Sequence, residues 1–164
     1  MGPEKLLKKD VFLFLKQNKT AVISTVAAEG NAEAATIYYG VDNDFNFYFV
    51  TGEKTRKYAN LKRNPRVSLV ITDEYQLKTL QTEGEIKELY SVKKNSKSVK
   101  LLTEALSPTI MQTIAYIWDP IPPIMKMNVG SISIFRLKPK WMRWADFSGP
   151  VKKTKGHYFK LIIP

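Results

Sequence analysis

The sequence predicts a mainly β (α+β) domain in which five or six antiparallel strands form a closed or split barrel with short flanking helices. Two observations carry this. Short runs of period-two alternation recur along the chain. Phe45, Phe47 and Phe49 share one face of residues 45–51, and Val67, Leu69 and Ile71 share one face of residues 67–72. The connections between several runs are tight. Residues 28–31 (Ala-Glu-Gly-Asn) and 42–44 (Asp-Asn-Asp) are turn sequences, and loops this short join antiparallel neighbours in meander order.

The elements follow in order. Residues 5–18 read as an amphipathic helix, with Leu7, Val11, Phe14 and Leu15 on one stripe and lysines opposite, suited to covering the sheet. Residues 21–26 form a short buried strand. In the turn after it, Gly30 and Asn31 suit a positive φ. The next strand, 32–41, carries the small residues Ala32, Ala34 and Ala35, which leave room on one side. Plain sheet packing and a bordering ligand both account for that gap. The aromatic strand 45–51 leads into a basic helix at 54–63, stopped by Asn64-Pro65, and strand 67–72 follows. A long strand at 76–89 has Thr79 and Gln81 on the face opposite Leu80 and Thr82, and Gly84 marks a bulge. Residues 91–100 are a basic connection; 100–106 and 109–117 read as helices, and 119–123 (Asp-Pro-Ile-Pro-Pro) as a rigid break. An apolar segment at 121–127 has no clear period. Two last strands are expected at 131–137, ended by Pro139, and at 141–146. The basic tail, 147–164, has a short apolar end that the pattern leaves unassigned.

The bulk composition narrows function. One domain, 1–164, is expected, with the barrel at about 20–146. A hydrophobic content of 44% argues for a packed core over disorder. No apolar run is long enough to span a bilayer, and the charged N-terminal segment is unlike a signal peptide, so a cytoplasmic protein is expected. The absence of cysteine excludes disulfides, thiolate metal sites and a cysteine nucleophile. With one histidine, His157, a Ser-His-Asp triad or multi-histidine zinc site is not expected. The net charge of +11 favours anionic partners, but its lysines and arginines are scattered and no nucleic-acid-binding signature accompanies them.

The chain is organised around residues 48–71. Hydroxyls (Thr51, Thr55) and cations (Arg56, Lys57) converge where the aromatic strand hands over to the basic helix. The first turn of a helix has unpaired N–H groups and a partial positive charge, which suits a phosphate. Arginine adds planar donors and lysine a point charge. A solvated helix face is the other reading of an Arg-Lys pair.

The pattern T-x-x-x-T-R-K-x-x-N-L-x-x-N-P-R-V-S-L at residues 51–69 resembles the signature of the pyridoxamine 5′-phosphate oxidase-like FMN-binding split-barrel family. The resemblance spans roughly residues 20–146 and is specific in this central stretch. It implies a six-stranded antiparallel split β-barrel and a homodimer with cofactor sites at its interface. It further implies FMN held at its phosphate by Thr51, Thr55, Arg56 and Lys57, with Val50 and Ala34, Ala35 and Thr36 bordering the ring. Thr79 and Gln81 are placed near the flavin, although a solvent-facing glutamine is an equal reading. Trp144 or Arg143 would reach the partner's flavin, unless Trp144 is interface or core.

The family implies a flavin-dependent oxidoreductase, with NADH or NADPH as a reductant and no catalytic acid or base among the residues singled out. The basic residues that the biosynthetic oxidase carries on its second strand are absent near Ala34 and Tyr39, and its C-terminal arginine- and histidine-bearing motif is missing. Pyridoxamine phosphate is therefore not the expected substrate. Relatives also bind haem or the deazaflavin coenzyme, so a non-catalytic binder of FMN, deazaflavin or haem is an alternative. A basic nucleic-acid-binding module on the same scaffold is another.

Overall fold

A computed structural model describes residues 3–92, 131–148 and 159–163. The elements are α1 (Pro3–Gln17), β1 (Thr20–Val26), β2 (Ala32–Val41), β3 (Phe47–Gly52), α2 (Arg56–Arg63), β4 (Arg66–Asp73), β5 (Lys78–Val92), β6 (Ile132–Asp146) and β7 (Phe159–Ile163). The expected helices at 100–106 and 109–117, the break at 119–123, the segment at 121–127, the basic connection from 93 onward and His157 lie outside the described residues.

All described strand pairs are antiparallel, in the order β3-β2-β1-β4-β5-β6-β7, and β3 also pairs with β6. That last pairing closes six strands into a barrel, as expected. The order is not a simple meander, however. β1–β3 and β4–β6 are each meanders, but β4 pairs with β1 instead of β3. The helix α2 carries the chain across, so consecutive strands are not neighbours there.

Inward-pointing side chains fill the barrel. Ile23, Tyr39, Phe47, Phe49, Leu69, Ile71, Leu80, Phe135 and Leu137 are buried, and Phe49 stacks on Phe135 at 5.5 Å. From α1, Val11, Phe14 and Leu15 join this core, and the Tyr39 hydroxyl donates to the Leu15 carbonyl at 3.0 Å. The apolar stripe read from the sequence thus buries the face it was expected to bury.

Two local expectations are corrected and one unassigned segment is placed. Phe45 precedes β3 and adopts φ 61° in the turn after Asp42, whose carboxylate accepts from the Asp44 and Asn46 amides at 2.9 Å each. The last two expected strands are one continuous strand, β6. Pro139 does not end it, because the register skips Lys140 between the pairs Glu83–Trp141 and Gly84–Pro139. A bulge tolerates a residue that lacks an N–H. Finally, the unassigned apolar end of the tail is β7, paired with β6.

Candidate functional site

The strand-to-helix handover forms the wall of a cleft. Thr55 is the N-cap of α2: its hydroxyl accepts from the Tyr58 amide at 3.1 Å and donates to the Gly52 carbonyl at 2.8 Å. Its single proton is thereby committed, so in the 3.2 Å contact between the two hydroxyls Thr51 is the donor. Thr51 is buried and supports the cap; both hydroxyls are engaged within the protein. The Arg56 and Lys57 amides, the first of the helix, have no hydrogen-bond partner among the described residues. Replacing Thr55 with alanine is expected to destabilise the fold by about 1 kcal/mol. Thermal melts should show a fall of roughly 2–4 °C, with serine restoring most of it.

The cleft has a volume of about 570 Å³ and is lined by Thr25, Ala32, Glu33, Ala34, Ala35, Thr55, Arg56 and Lys57. Its size is that of a small-molecule site. Of the residues expected there, Ala34, Ala35, Thr55, Arg56 and Lys57 come together. Thr51 lies behind the cap, Thr36 is one residue further along β2, and half-buried Val50 lies opposite Ile134 on β6.

Two residues that sequence reasoning missed sit at the same place. The Glu33 carboxylate takes the Arg56 guanidinium on one oxygen and the Asn60 amide on the other, the latter at 2.9 Å. Asn60 is 4% exposed and also donates to the Thr25 hydroxyl at 3.2 Å. The sequence signals were a lone carboxylate among the alanines of β2 and, for Asn60, its fixed place in the 51–69 pattern, to which no role was attached. Their meeting depends on a contact between elements more than twenty residues apart. The hydrogen bond from Arg56 holds the Glu33 carboxyl below its ordinary range, and the same contact raises Arg56. Lys57 differs: burial pushes its ammonium below the ordinary lysine value, and no carboxylate faces it among the described residues. An anion placed beside it would reverse that shift.

The remaining candidates lie elsewhere. On the outer face the register aligns Thr36, Val22, Val70, Gln81 and Arg143 in one row across β2, β1, β4, β5 and β6. Gln81 is therefore three strand spacings from Thr36, about 14 Å. It accepts a hydrogen bond from Arg143. Thr79, on the same face, donates to the Ile71 carbonyl at 3.2 Å. Trp144 points the other way: it is 4% exposed, in the core, with its ring 4.7 Å from that of Phe14. Its expected reach toward a flavin is corrected on this ground, and Arg143, beside the Trp141 ring, is the residue of that strand on the outer face.

The closed antiparallel barrel, with a cationic helix start against a small-residue strand, defines a split-barrel protein. The chain belongs to the pyridoxamine 5′-phosphate oxidase family, whose family model matches residues 7–143. No curated protein matches it in sequence. Among solved structures it is similar to a haem-binding protein from Mycobacterium smegmatis, at TM-score 0.61 and 14% identity, covering 94% of this chain and 56% of that one. This chain thus spans little more than half of that protein's length. It is also similar to a pyridoxamine 5′-phosphate oxidase-related FMN-binding protein from Nostoc punctiforme, at TM-score 0.56 and 14% identity, covering 100% and 98%. A haem storage protein from Vibrio cholerae matches at TM-score 0.57 and 20% identity, covering 81% and 89%. At these identities the likeness is one of fold.

Proposed function

We propose that the chain is an FMN-binding flavoprotein, working as a homodimeric, flavin-dependent oxidoreductase with NADH or NADPH as reductant. The observation that carries this reading is the cleft at the start of α2, lined by the small residues of β2 and by Arg56 and Lys57, whose amides have no partner among the described residues. This donor set fits a phosphate monoester. In this reading Lys57, Arg56 and the two amides hold the phosphate. Thr55, with Thr51 behind it, fixes the helix start, and Ala34, Ala35, Thr36 and Val50 border the ring. FMN, when bound, supplies the hydride or electron chemistry; the protein supplies position and charge.

A second copy of the chain completes the site. Val22 and Val70, 43% and 38% exposed, leave apolar surface bare in the middle of the outer face, which supports a partner there. In this reading Thr79, Gln81 and Arg143, further across that face, act on the partner's flavin. The glutamine amide matches the donors and acceptors of a flavin's pyrimidine edge. Trp144 has no part in this reading. The lack of cysteine suits a reducing, cytoplasmic compartment.

Haem is the second reading, because two proteins of the same fold are named for it. The absorption spectrum of the purified protein, taken again after adding FMN and dialysing, separates the two. Retained flavin bands are the expected result. A Soret band on adding haem, with no retention of FMN, would overturn it.

A further inference from the structure

The cleft already contains an anion of its own. The Glu33 carboxylate is seated between a guanidinium and a buried amide, with one oxygen on each. Two phosphate oxygens would use donors of the same kind. Asn60, buried and braced on Thr25, fixes one side of this seat. The other side is yielding: the Arg56 side chain is 83% exposed against 23% for Glu33. An ion pair with so exposed a partner is cheap to break. Beside it, Arg56 and Lys57 line the cleft; their amides have no hydrogen-bond partner, and the Lys57 ammonium no carboxylate partner, among the described residues.

We infer that Glu33 is an internal competitor for the anion site, holding Arg56 until a phosphate monoester displaces it. This rests on the reading of the cleft as a phosphate site, though not on the identity of the rest of the ligand. Lys57 and the amides receive the anion first. Arg56 then transfers from a singly charged carboxylate to a doubly charged phosphate, which attracts it more strongly at equal distance. The carboxylate stays on Asn60; releasing Arg56 costs the same for every anion while the attraction gained grows with the anion's charge, so weakly charged anions gain least. Glu33 is thus a specificity-determining residue: it costs affinity for every anion and sets a threshold that a phosphate monoester passes.

The test compares wild type with E33Q, whose amide oxygen still accepts from Asn60, and with E33A as a second variant. FMN, riboflavin and inorganic phosphate are the probes, followed by fluorescence titration and by the thermal shift that phosphate produces. The expected result is FMN binding tightened about three- to tenfold in E33Q, the scale of one exposed ion pair and one like-charge contact. Riboflavin binding should not change, and phosphate should protect E33Q at correspondingly lower concentration. FMN and phosphate affinities that stay the same or fall in both variants would overturn the inference while leaving FMN binding in place. Phosphate protection that strengthens in E33Q, in a protein that never binds FMN, would uphold the inference and remove the flavin reading.

Discussion

The double variant R56A/K57A is expected to bind FMN at least about 100-fold more weakly than wild type while keeping its fold. Each charge-assisted hydrogen bond to a phosphate contributes on the order of 1.5–3 kcal/mol, so losing two removes about 3 kcal/mol or more. The fold should survive, because Arg56 is exposed and Lys57 is only half-buried. Relieving Lys57 of a partly desolvated charge should even help slightly. The single variants should differ. K57A removes a cleft-lining cation with no carboxylate partner among the described residues, whereas R56A removes one that must first leave Glu33. The larger loss is therefore expected for K57A. Fluorescence titration with FMN and with riboflavin checks this: the ratio of the two affinities should collapse, with riboflavin itself little changed. Unchanged FMN affinity in the well-folded double variant would remove the phosphate assignment.

The largest effect on stability is expected from G84A. Gly84 sits at the register shift where β5 passes Pro139 of β6, paired on its other side with Val67 of β4. A Cβ at this position would press into the Lys138 carbonyl and stand 3.0 Å from Leu137 Cδ1. The Lys138 carbonyl is backbone in a strand held from both sides, so it cannot rotate away as a side chain would. Accommodating the methyl means moving β6 or opening the ladder, at about 2–4 kcal/mol. For a domain of this size that corresponds to a fall in melting temperature of roughly 5–15 °C. Thermal unfolding followed by circular dichroism measures it directly. G30A is the control: it also strains a glycine, at φ 85°, but nothing lies within 4 Å of the added carbon. Its cost should be limited to the conformational term of about 1 kcal/mol.

These two regions also show what the sequence made legible. Local patterns were read where local physics decides them. The bounds of β2, the stop of α2 at Asn64-Pro65 and the bulge at Gly84 follow from local signals, whereas α2 begins at Arg56, capped by Thr55, and not at the expected residue 54. What escaped depends on long-range partners. Pro139 looked like a strand end because its bulge exists only against Gly84. The skipped residue Lys140 also sets the parity of the following segment. It sends Trp141 and Arg143 outward and Met142 and Trp144 into the core, a choice that no short window contains. The pairing of β4 with β1 required knowing where α2 deposits the chain. At the candidate site the cations were visible as a motif. The carboxylate that occupies one of them was not, because Glu33 and Arg56 meet only once β2 and α2 are packed.

Recognition of the FMN phosphate by the cleft at the start of α2, as proposed, is read from the ratio of FMN to riboflavin affinity in the wild-type protein. The two ligands share the ring and differ in the phosphate alone, so the ratio isolates what Lys57, Arg56 and the two amides contribute. Fluorescence titration is expected to show FMN binding at least about 100-fold tighter. Equal affinities for the two, or binding of neither, would remove the phosphate site.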